Sequence, residues 1–265
     1  MSKKKSAKLG PLSILSLVRE ARTGAGDRRP LAVAGARELV PLLARELRAG
    51  GDASAVVEDR VEGAAVVVWL GRPDDEKLRA AARAGIPVVA VSDDETLPYV
   101  LATDIVHVPP GHGFPVDEIA ATVARRLGEG GTPLAARLPV LRGAVCAQLI
   151  SSFAKRNAVI AAAVFVPGVD MPILTLNQGR LVLRIALAHG ETVDNQRALE
   201  LLGVVGAGFG FRAVARELLD LVPVAGWALK GGIAYAGTKA VGEAAVRYFA
   251  ARNALEPGSR SEPGS

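Results

Sequence analysis

Cysteine is almost missing from this sequence. Cys146 is the only one in 265 residues, which excludes a disulfide framework and a cysteine-rich zinc module. Histidine is scarce too: His107, His112 and His189 are the only three. Aromatics make up 4% of the chain, and no dense basic stripe interleaves with them, so a nucleic-acid partner is not expected. No phosphate-binding G-x-x-x-x-G-K-[ST] loop occurs, nor a nucleophile elbow. Disorder is excluded by the opposite excess, because half of the residues are hydrophobic and mean hydropathy is +0.28. What is abundant is small and apolar: Ala, Val, Leu and 29 glycines. Such a composition suits a tightly packed helix bundle or one that meets lipid.

The net charge of +5 is unevenly placed. Residues 1–139 carry 19 Lys/Arg against 18 Asp/Glu, and residues 140–265 carry 13 against 9. Lys3, Lys4, Lys5 and Lys8 precede the apolar stretch 9–18, imitating a secretory signal. Arg19, Glu20 and Arg22 follow where small cleavage-site residues would stand, so residues 1–29 read as a basic tail with an amphipathic segment. A solvated, disordered terminus is the alternative. The run Glu256-Pro-Gly-Ser-Arg-Ser-Glu-Pro-Gly-Ser265 reads as an added linker, and residues 253–265 are set aside as a tail.

Residues 30–128 alternate strands and helices. Strands are expected over 31–34, 54–57, 64–70, 86–91 and 105–108, with helices over 36–49, 74–84, 94–102 and 116–127. Near-continuous apolar strands separated by helices predict an α/β, Rossmann-like domain with a parallel sheet. Ligands of such sheets bind beyond the carboxyl ends of the strands, here in the loops 35–38, 71–75, 92–95 and 109–115. The element order resembles a GTPase domain, with Val88-Val-Ala-Val-Ser-Asp-Asp94 where the guanine-reading motif would fall. At the phosphate position stands Ala34-Gly-Ala-Arg-Glu-Leu39, without the second glycine or the lysine. The expectation is a degenerate G-domain-like unit that does not hydrolyse GTP and needs no cofactor.

Residues 129–139 read as a linker, rich in Gly and Pro, and residues 140–252 as an all-α, Gly/Ala-rich domain. One helix is expected over 140–166 and another over 173–189, separated by Pro167-Gly-Val-Asp-Met-Pro172. A spanning helix needs about 20 apolar residues, and this stretch is broken midway, so it reads as a hairpin or re-entrant pair. Two buried core helices are the soluble alternative. Further helices are expected over 194–202, 212–221 and 224–251. Gly206 with Gly210, and Gly232 with Ala236, have the spacing that lets helix backbones approach closely. Gly206-Ala-Gly-Phe-Gly210 also imitates the start of a dinucleotide fingerprint, but Phe211 stands where Gly is needed and no βαβ unit surrounds it. Asp170, Asn177, Gln178, Arg180 and Arg184, in or after the proline break, are the candidate functional polar residues. Their structural roles would be helix capping by Asp170 and snorkelling by the arginines. Lys230 and Lys239 are equally open.

Several segments of the second half resemble the bacterial YcjF/GTPase-associated family of unknown function. They are Pro167-Gly-Val-Asp-Met-Pro-Ile-Leu-Thr-Leu-Asn-Gln178, Ile185-Ala-Leu-Ala-His-Gly-Glu191, Val222-Pro-Val-Ala-Gly-Trp227, Ala236-Gly-Thr-Lys-Ala-Val-Gly242 and Tyr248-Phe249. The resemblance covers residues 140–250, under half of the chain, and supplies no catalytic residues. It implies association with the cytoplasmic face of the bacterial inner membrane, peripheral or integral, and a link to GTPases. Membrane lipid, a second copy of the chain and a GTPase are the expected partners. The resulting expectation is a non-enzymatic membrane-associated scaffold or adaptor. The alternatives are an oligomeric pore or transport protein, and a nucleotide- or cofactor-binding enzyme.

Overall fold

A computed structural model describes Arg19 and residues 26–108, 111–163, 171–193 and 227–255. Several expectations fall outside these residues: most of the N-terminal tail, Asp170 with the centre of the proline break, the helices over 194–202 and 212–221, Gly206, Gly210, and the final tail. The chain divides into two compact units, one of Gly24–Gln148 and one that includes Leu149–Ser265.

In the first unit five strands, β1 (Leu31–Gly35), β2 (Val56–Glu58), β3 (Val66–Leu70), β4 (Val88–Val91) and β5 (Ile105–Val106), form one sheet in the order β2-β1-β3-β4-β5. All four pairings are parallel, with Leu31 beside both Val56 and Val66. This is the α/β architecture expected from the apolar strands, in one of the two common doubly wound orders. Leu31, Ala32, Val33 and Ala34 are fully buried because both faces of the sheet are covered. Alternate residues Ala32, Ala34, Val67, Trp69, Val88 and Ala90 share one core cluster with Leu78 and Ala81 of helix α2 (Asp75–Arg83). Helix α1 (Val40–Arg48) connects β1 to β2 in the other direction along the sheet, so a right-handed crossover puts it on the opposite face.

The helix ends follow local chemistry. Asp74 caps α2, its Oδ1 accepting from the amides of Glu76 and Lys77 at 3.1 Å each. Asp75 and Glu76 in the first turn and Arg83 in the last complement the helix dipole. α1 starts four residues later than expected, after a turn over 36–39, with Pro41 in its first turn. No helix forms over 94–101; only a 3₁₀ turn, Ala102–Asp104, appears at the end of that stretch. Pro98 disfavours a helical Leu97, and Tyr99 adopts φ 64°.

The stretch expected as a linker is folded instead. Helix α3 (Val116–Leu127) runs into a 3₁₀ turn and then α4 (Thr132–Arg137). Thr132, Pro133, Leu134, Ala135 and Leu138 are buried. Arg137 anchors α4: it donates to Asp52 Oδ2 at 2.9 Å, Ser54 Oγ at 3.2 Å and the Arg28 carbonyl at 3.1 Å. Glycine and proline here shape tight turns between buried leucines rather than loosening the chain. The two units meet in sequence within the next helix, α5 (Pro139–Ala163).

The second unit packs the later part of α5 with α6 (Met171–Ala188) and α7 (Trp227–Leu255). α6 begins at Met171, with Pro172 in its first turn, where a missing amide costs no helical hydrogen bond. Leu149, Phe153, Leu181, Ile185, Ala245 and Phe249 form its buried centre. Asn157 meets both Asn177 and Thr238, and Gly242 meets Ile150 and Leu181. These pairings run α5 antiparallel to α6 and to α7, and α6 parallel to α7. None of the described helices is long and apolar enough to cross a membrane. Lys155, Arg156 and Asn157 interrupt α5, and Asn177, Gln178, Arg180 and Arg184 interrupt α6. This removes the support that an integral placement, or a pore made by these helices, had drawn from their apolar character.

Candidate functional site

The strand order puts the topological switch point between β1 and β3, where doubly wound sheets open a crevice for ligands. A Cβ on Gly35, which has φ 118°, would lie 2.2 Å from the Leu70 carbonyl oxygen. The Ala36 amide donates to that oxygen at 3.0 Å, and the Gly71 amide to the Val91 carbonyl at 3.0 Å. So Gly35, at the first glycine position of the imitated phosphate loop, serves strand packing. Arg37 and Glu38 are exposed beside it. At the guanine-reading position, buried Ser92 accepts the Asp94 amide at 3.1 Å, which makes a turn, and Asp93, Asp94 and Glu95 face solvent. Among the described residues no group of three His, Cys, Asp or Glu side chains could hold a metal ion.

The titratable groups of this unit serve structure. Hydrogen bonds from Ser54 and then Arg137 bring the Asp52 carboxyl down to about 2. Asp104, 1% exposed, lies 3.0 Å from Arg126 Nε and 3.4 Å from Arg125 Nη2. Burial pushes the Cys146 thiol up to about 11, so it stays protonated and inert at neutral pH.

In the helical unit the structure brings together residues that the sequence pattern only partly signalled. Asn177, a predicted site residue, is 4% exposed and donates through Nδ2 to Asn157 Oδ1 at 2.9 Å. Asn157 donates to Thr238 Oγ1 at 2.9 Å, and Thr238 donates to the Ala234 carbonyl at 2.8 Å. Arg180 Nη1 reaches Asn177 Oδ1 at 3.5 Å. This chain of hydrogen bonds joins three helices through the core, and its geometry is that of a packing lock. Gln178 and Arg184 are half-buried on the same helix. Asn157 and Thr238 escaped the sequence reading. Their signal was single polar residues at a helical position otherwise apolar, visible only once the facing helices are known.

The expected packing pair Gly232 and Ala236 is exposed, and a Cβ on Gly232 would meet nothing within 4 Å. Among the described residues of this unit the close approaches fall on Gly231 and Gly242. A Cβ on Gly231 would lie 3.1 Å from the Ala158 carbonyl oxygen, and one on Gly242 only 2.4 Å from Ile150 Cγ1. At the other end of the bundle, His189 is buried against the Phe249 ring at 5.9 Å, with Asn253 Nδ2 at 3.2 Å from its Nδ1. Glu191, also buried, faces Arg252 at 3.9 Å. These contacts tie the end of α6 to α7.

The exposed large apolar side chains of this unit are sorted by position. Val159 is 68% exposed, Ile173 46% and Tyr235 37%. Gly231 packs on Ala158, Asn177 on Asn157 and Thr238 on Asn157, so all three exposed residues stand near one end of the bundle. Leu255 is the exception, at the last residue of α7. Compared with protein-family models, with curated proteins and with solved structures, the chain gives no match.

Proposed function

We propose that the protein is a non-enzymatic scaffold or adaptor held peripherally on a membrane by its helical unit. The observation that carries this reading is the shared position of exposed Val159, Ile173 and Tyr235 at one end of α5, α6 and α7. Each of the three helices leaves one large apolar side chain in water at about the same level, where it is open to a partner. Peripheral attachment suits helices that are too polar to cross a bilayer. The α/β unit is read as a degenerate G-domain-like module that binds a protein partner, a GTPase being the one implied by the family resemblance. Its support is the absence of the second glycine and the lysine of a phosphate loop in Ala34-Gly-Ala-Arg-Glu-Leu39.

Flotation of the full chain with phosphatidylcholine vesicles, with and without phosphatidylglycerol, tests the reading. The protein should rise with vesicles of at least one composition, and Val159→Glu with Ile173→Glu should leave it in the soluble layer. Recovery of the unaltered chain as a soluble monomer with every vesicle type would sink it.

A further inference from the structure

We infer that helix α1 of the α/β unit docks on α1 of a second copy of this chain, antiparallel across a two-fold axis, with Leu42 near its centre. This goes beyond the reading above and does not rest on membrane attachment. Of the helices α1, α2 and α3, only α1 with its cap residue leaves large apolar side chains in water: Leu39 is 39% exposed and Leu42 45%. The two lie on one ridge. The Leu43 amide donates to the Leu39 carbonyl at 3.0 Å, so Leu39 already follows the helical path and stands one turn before Leu42. Pro41, next to Leu42, is exposed as well. Val40, Leu43, Ala44 and Leu47 take the opposite face into the core.

Charge names the occupant. Arg37, Glu38, Arg45 and Glu46 flank the ridge, are exposed and make no ion pair among the described residues. Arg48, by contrast, is spent on Glu58 at 2.8 Å. Every charged residue of this unit is described, since the undescribed ones, Gly24, Ala25, Pro109 and Pro110, carry no charge. Laid antiparallel about a point between residues 41 and 42, two copies of α1 set Glu38 against Arg45 of the partner subunit. Arg37 then meets Glu46 of the partner subunit, and the two Leu42 side chains come together between these pairs. Laid parallel, like charges would meet. A strip that complements itself only when turned about a two-fold axis suits an isologous contact, and an apolar centre with a charged rim is the usual anatomy of one. Anionic lipid or nucleic acid would be opposed by Glu38 and Glu46.

The test is sedimentation equilibrium of the full chain over a range of concentrations. The unaltered chain should be a dimer. Leu42→Glu should be a monomer with unchanged circular dichroism, because the side chain it replaces stands in water. Glu38→Arg should weaken self-association at least about tenfold, since like charges then face each other across the axis. Adding Arg45→Glu to the same chain should restore it, because the exchanged charges meet again. An unaltered chain that is monomeric overturns the proposal and leaves α1 to a different protein partner or to another part of this chain. A dimer that survives Leu42→Glu is held elsewhere, which also overturns it. Charge exchange that fails to restore association overturns the antiparallel pairing. Vesicle flotation is read separately, so the membrane reading stands or falls without regard to these outcomes.

Discussion

Gly35 is the residue at which sequence resemblance and structure part most clearly. In the sequence it begins an imitation of a phosphate loop, but in the fold the Leu70 carbonyl occupies the place of its missing side chain. Gly35→Ala should therefore destabilise the protein by at least about 2 kcal/mol in urea unfolding, through a disfavoured φ and a backbone clash together. Asn157 makes a different kind of prediction. Asn157→Ala leaves the Asn177 amide without its acceptor in a dry core and should cost about 2 kcal/mol. Replacing the whole lock, with Asn157→Leu, Asn177→Leu and Thr238→Val, should recover much of that loss while broadening the amide spectra, because the device that selects one helix register is gone. A triple variant as unstable as Asn157→Ala, with sharp spectra, would contradict this. Asn177 was legible as a notable residue because it is polar in an apolar helix. Its partners were not, because they lie 20 residues before it and 61 after it.

At the level of elements, strands and capped helices were the most legible. β3 and β4 fall within the expected runs, and β1 runs one residue past its own, because apolar stretches bounded by Gly, Pro and Asp have few alternatives. α4 was hidden, since Gly128, Gly130, Gly131 and Pro133 mimic a linker and its stability comes from Arg137, which reaches 85 residues back to Asp52. Arg137→Ala should cost about 1–2 kcal/mol and lower the midpoint of thermal unfolding. The same pair predicts a pH dependence. The Asp52 carboxyl is lowered in the folded chain from 3.8 to about 2, so its stabilising contribution is present above the unfolded value and lost as pH falls toward 2. Asp52→Asn should therefore lower stability near neutrality and make little difference near pH 2, as measured by unfolding at the two pH values.

For the molecule as a whole, calorimetric titration with GTP, GDP, ATP, NAD and FAD should give no heat of binding if the α/β unit is the degenerate module proposed; a saturable signal with any of them would restore the enzyme alternative. Vesicle binding should weaken as salt is raised, since exposed lysines act through a field that salt screens. By itself the sequence determined the α/β character of the first unit, the helical character of the second and the lack of a phosphate loop, because periodicity and missing residue types are local properties. Tertiary structure alone decided that Gly35 packs against the Leu70 carbonyl and that Gly231 and Gly242, rather than Gly232, take the close approaches between helices. It also decided that Val159, Ile173 and Tyr235 are left exposed on α5, α6 and α7. A helix repeats every 3.6 residues whatever it touches, but which of its faces is covered depends on partners that lie far away in the chain.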